Sequence, residues 1–235
     1  MNSPKKQARR AGILYILANL PAPFAIIYLP NFLIVPGNPT ATADHVRASI
    51  GLIRAGMAVE LLNATIIVFA ALAFYRLFAS TSARHARAML VLILLAVPIS
   101  LLNVLNYVAV LSFARGGYLS VFDQQQLDAL VLLFLRLHSV GYVIAGIFWG
   151  LWLFPFGILA MRSGFIPWLI GLFMLLAGIP YVLSALTTLV LPQYDFISTW
   201  LSPLMAGELP MVVWLLVWGA KQPANENLAP TAAVA

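Results

Sequence analysis

The chain has no cysteine. Disulfides, thiolate metal sites and cysteine nucleophiles are therefore excluded. Charge is scarce as well. Charged residues fill 9% of the 235 positions, where a soluble globular domain has about 25%. There are three histidines and seven acids. No HExxH helix, no close pair of histidines, no glycine-rich phosphate loop and no Ser-His-Asp spacing occurs, so the usual signatures of zinc proteases, nucleotide folds and triad hydrolases are missing. A metal site would have to join His138 to Glu60 and Glu208. A membrane haem would want histidines on facing spans, yet His45, His85 and His138 all read as lying at or beyond span ends. No metal and no cofactor is assigned.

What the chain does have is hydrophobic length. Apolar residues make up 63% of it, against about 45–50% in soluble domains. They gather in six stretches, at approximately 12–35, 55–78, 88–113, 137–161, 166–191 and 205–220. A helix needs roughly 20 apolar residues to cross the hydrocarbon layer. Lipid offers no hydrogen-bond partner, so each span must satisfy its own backbone as a helix. The expectation is an all-α integral membrane bundle of six transmembrane helices, occupying 1–221 as a single domain. Residues 222–235, rich in Ala, Asn and Pro, are expected to form a disordered tail.

Lys5, Lys6, Arg9 and Arg10 before an apolar run resemble a signal peptide, and Ala41-Thr42-Ala43 resembles a cleavage site. A signal core is only about 7–15 residues long, so an uncleaved first span is expected. With six spans, nine basic residues fall on the N-terminal side of the membrane: Lys5, Lys6, Arg9, Arg10, Arg76, Arg84, Arg87, Arg162 and Lys221. Four, Arg47, Arg54, Arg115 and Arg136, fall on the other side or at its span ends. This asymmetry places both termini in the cytoplasm by the positive-inside rule. The net charge of +6 is thus a topology signal, and no nucleic-acid partner is expected.

Turn residues divide the spans. Pro36-Gly37-Asn38-Pro39 follows the first, and Asp44 is a candidate cap for a helix continuing through Arg54 into the second. Gly116-Gly117 ends the third. Asp123 is a candidate cap for a fourth helix reaching Met161, about 58 Å long. Such a helix must protrude or bend. Trp200, Pro203 and Gly207 make the start of the sixth span irregular. No internal repeat is evident, so the inverted repeats of many transporters are not expected.

Ionisable groups inside spans are costly and mark candidate sites. Glu60 and Glu208 are the main ones, and Asn19, Asn63, Ser100, Asn103 and Asn106 add polarity. Depth follows from helix rise. Glu60 lies about 24 Å above Arg76 and Asn63 about 20 Å. Asn103 and Asn106 lie about 24 and 28 Å above Arg87, and Glu208 about 20 Å from Lys221. Arg136 and His138 come out higher, roughly 36–39 Å above Arg162, at the outer rim. Glu60 and Asn63 share a helix face, as do Ser100, Asn103 and Asn106. The expectation is one polar pocket in the outer half of the bilayer. Glu60 and Glu208 are its carboxylates, Asn63, Asn103 and Asn106 its wall, and Arg54, Arg136 and His138 its rim. The alternative is structural: Glu60 paired with Arg54 or Arg136, and asparagines as interhelical glue.

Gly146 and Gly150 form a GxxxG in the fourth span, a surface for close helix approach. It suits packing within the chain or a homo-oligomer. Trp149 and Trp152 read as packing or lipid-facing residues, Trp168 and Trp200 as interface anchors.

The stretch FWGLWLFPFGILAMRSGFIPWLIGLFMLLAGIPYV, Phe148–Val182, resembles the GLWL-P-G…SGF-P…LG…AG-Y pattern of an uncharacterised bacterial membrane-protein family, domain of unknown function 4386. Arg10-Ala11-Gly12, LAFYRLF at Leu72–Phe78, and Gly207-Glu208 followed by WLLVWG agree, so the resemblance covers nearly the whole chain. It implies a bacterial inner-membrane protein of about six spans. It supplies no reaction, cofactor or catalytic residue. Glu208 matches the family's Gly-Glu before the last span, which gives it added weight. The function expected is binding, with transport as an extension, of a small molecule or ion through the polar pocket. The alternatives are an accessory protein acting through helix contacts and a membrane-embedded metal-dependent enzyme.

Overall fold

The computed structural model describes residues 4–116 and 121–220. Gly117, Lys221 and the expected tail 222–235 lie outside the described residues. Among those described, the structure is helical throughout, and six helical stretches are long and apolar enough to cross a membrane. They alternate in direction. The chain enters and leaves at one end of the bundle, where Arg9 Nη2 donates to the Val217 carbonyl at 3.2 Å. We call this the terminal end and the opposite one the far end.

The first span is broken. α1 (Pro4–Asn19) stops before Pro21 and Pro23, because proline lacks the amide donor and restricts the residue before it. A π-helical turn over Phe24–Tyr28 leads into the short α2 (Leu29–Leu33). The expected 12–35 is thus one membrane crossing made of two helices with a hinge between them.

At the far end, Gly37 takes φ +73°, and α3 (Pro39–Ala48) begins. Its cap is Asn38, whose side chain accepts from the Ala41 amide at 3.0 Å, with Pro39 in the first turn. Asp44 does not cap. It lies inside α3 and pairs with Arg47. A break at Ser49 separates α3 from α4 (Ile50–Phe78).

α5 (Ala83–Arg115) ends at Gly116 with φ +67°. α6 (Gln124–Arg162) is one continuous 39-residue helix. Asp123 caps it as expected, in a reciprocal capping box with Gln126. α7 (Trp168–Leu189) follows. The sixth crossing differs most from the expected 205–220. It runs from Pro192 to Val217 as a chain of short pieces: a 3₁₀ turn, α8 (Asp195–Leu201), a second 3₁₀ segment (Ser202–Glu208) and α9 (Leu209–Val217). Pro192, Pro203 and Pro210 deny it a regular amide ladder.

α6 carries two different seams on opposite sides. Towards α7 it offers glycine. A Cβ on Gly150 would fall 2.7 Å from the Gly178 carbonyl oxygen, and one on Gly157 would fall 2.6 Å from that of Gly171. The reverse approaches are 2.8 and 2.6 Å. Backbone meets backbone there, as small-residue seams allow. Towards α4 the contact is made by long side chains. Phe74 meets Trp152 at 6.3 Å and Phe78 meets Phe156 at 5.6 Å between ring centroids.

Two apolar clusters result. One fills the terminal half around Tyr15, Phe74, Phe78, Met89, Trp152 and Phe156. The other fills the far half around Leu29, Leu33, Ile53, Val110, Val131 and Leu135. Along α4, α5 and α6 the buried polar residues between the two clusters are Glu60, Ser100, Asn103 and His138.

Candidate functional site: a buried carboxylate–imidazole pair

Glu60 and His138 occupy that middle layer, 4% and 1% exposed. His138 Nε2 lies 3.2 Å from Glu60 Oε2 and 3.1 Å from Oε1. The expectation of His138 at the outer rim is therefore corrected. α4 and α6 run parallel, and Glu60/His138, Phe74/Trp152 and Phe78/Phe156 all pair residues 78 apart in number. Arg76 and Arg162, the markers used for depth, are 86 apart. The eight-residue difference is about 12 Å of helix, which is the whole discrepancy.

Aromatic rings enclose the pair. Tyr107 of α5 lies over the imidazole at 3.9 Å between centroids, and Tyr142 meets it edge-on at 5.1 Å. The Tyr142 ring thus lies beside the imidazole that Glu60 contacts. Asn103 Nδ2 donates to the His138 carbonyl at 2.9 Å, and Asn106 Nδ2 donates to Asn103 Oδ1 at 2.9 Å. This works because residue 141 is glycine: the Asn103 side chain occupies the space a Cβ there would take. Among the described residues, the buried His138 Nδ1 and Tyr107 hydroxyl make no hydrogen bond, and Glu60 Oε1 has only the His138 Nε2 contact. Unpaired polar atoms in a core cost about 1–3 kcal/mol each.

The other expected members sit elsewhere. Glu208 accepts from the Tyr15 hydroxyl and, at 3.0 Å, from the Tyr181 hydroxyl, so it ties α9 to α1 and α7. Gly207 before it lets the chain lie on α7, since a Cβ there would fall 2.6 Å from the Phe173 carbonyl oxygen. Asn63 Nδ2 donates to the Ala18 carbonyl at 2.8 Å beside the break in the first span. Arg136 is exposed, two residues before His138. The three-residue set His138, Glu60 and Glu208 is not assembled, and among the described residues no group of three or more His, Asp or Glu side chains is gathered. Gly150 is covered by α7, and Gly146 lies 3.9 Å from the Tyr181 ring by the same Cβ measure.

A second charged cluster stands at the far end. Arg47 Nη1 binds Asp128 at 2.8 Å and Nη2 binds Asp44 at 2.8 Å, locking α3 onto the protruding first turns of α6. The hydrogen bond to Asp128, then that to Asp44, holds the Arg47 proton more firmly than usual. Nothing in the sequence pointed to this pairing beyond the charges themselves.

Six crossings, buried ionisable groups inside them and basic residues at the helix ends define a multi-pass membrane protein. Its family is that described as a domain of unknown function (DUF4386), which matches residues 10–219. The chain belongs to that family. No curated protein and no solved structure matches it.

Proposed function

We propose that the protein binds an ion within the membrane, that the ion is a proton, and that Glu60 and His138 hold it. The observation carrying this reading is the buried, directly bonded carboxylate–imidazole pair in the middle of the bundle. Ionisable side chains are retained at such depth where they serve a site. Carboxylate and imidazole already touch, so a proton is the ligand they can share or exchange without parting helices. Either group is a proton acceptor, and His138 Nδ1 makes no hydrogen bond. Asn103 and Asn106 act as positioning residues, fixing α5 against His138. Glu208 serves a different purpose in this reading, holding α9 in place. Movement of the proton across the membrane is the extension of the same proposal. Eight basic residues at the terminal end favour a cytoplasmic location for that end, in a bacterial inner membrane.

The test is infrared titration of the protein in lipid, following the carbonyl stretch of protonated carboxyls. Wild type is expected to show a band that appears and vanishes with pH, lost in Glu60→Gln, shifted in His138→Gln and kept in Glu208→Gln. A pH-sensitive dye inside proteoliposomes then reports translocation. No titrating carboxyl band assignable to Glu60, in a variant set that stays folded, would sink the proposal.

A further inference from the structure

We propose that the cleft between the start of α4 and the end of α5 seats the phosphate of an anionic phospholipid. The cleft holds about 250 Å³ and is lined by Arg54, Met57, Val108, Leu111, Ser112 and Arg115. It lies apart from the Glu60–His138 pair, and the inference is independent of the proton reading.

The two arginines come from different helices and converge on one opening. Among the described residues, the only arginine in an ion pair is Arg47. Arg54 and Arg115 have no carboxylate partner there. Helix electrostatics account for only one of them. Arg115 stands in the last turn of α5, where a cation is favoured by the helix dipole. Arg54 stands in the second turn of α4, near its positive end, where a cation is disfavoured. Two guanidinium forks at one mouth match the oxygens of a phosphate.

The rest of the lining identifies how that phosphate is carried. Met57 lies one turn deeper than Arg54 along α4. Leu111 and Val108 lie one and two turns deeper than Arg115 along α5. Charge is at the mouth and apolar surface runs inward from it. A free phosphate would use only the mouth. A phospholipid uses both, with its headgroup between the arginines and an acyl chain along Met57, Leu111 and Val108. The site is also at the correct height, since both arginines stand within two turns of the helix ends that face the membrane surface.

The experiment is native mass spectrometry of full-length protein released from vesicles of mixed phosphatidylglycerol and phosphatidylcholine. Wild type is expected to retain phosphatidylglycerol selectively. Arg54→Gln and Arg115→Gln should each lose affinity by roughly tenfold, the value of one charge-assisted contact. Arg136→Gln, exposed and outside the cleft, should retain the lipid. Equal retention by wild type and the two cleft variants overturns the proposal. Stabilisation by inorganic phosphate alone, to the extent given by the lipid, also overturns it, because it assigns the mouth to a free anion. Should the arginine variants not fold, Met57→Phe keeps both charges and narrows the apolar part. It is expected to reduce retention, and unchanged retention counts against the lipid.

Discussion

The two glycines of the GxxxG motif should respond oppositely to the same mutation. In Gly150→Ala the new Cβ would stand 2.7 Å from the Gly178 carbonyl oxygen, 2.8 Å from Tyr181 Cβ and 3.0 Å from Val182 Cγ2. The first of these is backbone, so relief requires α6 and α7 to separate. Overpacking of this kind costs about 1–3 kcal/mol. Alanine returns about 0.8–1 kcal/mol of helix propensity. The expected result is a net loss of about 0–2 kcal/mol. In Gly146→Ala the nearest neighbour to the new Cβ is the Tyr181 ring at 3.9 Å, an ordinary contact. Only the propensity term remains, so this variant should be as stable as wild type or up to about 1 kcal/mol more stable. The assay is reversible unfolding in mixed detergent, followed by far-ultraviolet circular dichroism. Gly178→Ala tests the same contact from the other helix. Because both variants open one seam, Gly150→Ala with Gly178→Ala should cost less than the two singles added. Equal damage at Gly146 and Gly150 would refute the reasoning, since the motif would then act outside the chain or in another register.

Two further outcomes follow from the same structure, each read by the same unfolding assay. Arg47→Ala leaves the Asp128 side chain, 2% exposed, without its cation and should cost about 3 kcal/mol. Asp44→Ala removes a partner that is 65% exposed and should cost about 0–1 kcal/mol; comparable losses would show that Asp128 is not the buried anchor. Glu208→Leu strands the Tyr15 and Tyr181 hydroxyls, at roughly 1–3 kcal/mol for each left unpaired. Glu208→Gln still bonds both and should cost clearly less; the reverse order would remove the structural role given to Glu208.

The crossings were legible because hydropathy needs no tertiary information. Asp123 and Gln126 announced the start of α6 for the same reason: a capping box is local. The hinge in the first span was foreshadowed by Pro21 and Pro23, but not its π-helical continuation. The sixth crossing was read too short because its far-end part, from Pro192 through Glu208, is neither continuously apolar nor regularly helical. The polar residues singled out in the spans are grouped differently by the structure. Glu60 and Glu208 have similar counted depths, yet depth says nothing about which helices are neighbours. Glu60 faces α5 and α6, while Glu208 faces α1 and α7.

The lost information was register between helices, and it resides in residues that no charge count uses. Gly150 and Trp152 stand about 200° apart around α6 at 3.6 residues per turn, so one helix presents a glycine side and an aromatic side. Both are apolar and both are buried, and hydropathy cannot separate them. Their mechanics differ, however. Glycine against a carbonyl oxygen permits one close axial position, which sets α6 on α7. Phe74 against Trp152 and Phe78 against Phe156 set α6 on α4. The contact of Glu60 with His138 is the third rung of that second ladder. Sliding α6 by one turn, about 5.4 Å, would therefore open the glycine seam, misalign both aromatic rungs and strand the carboxylate in one movement. The register of the buried pair is thus shared with aromatic rungs, the nearer of which lies 14 residues away along each helix.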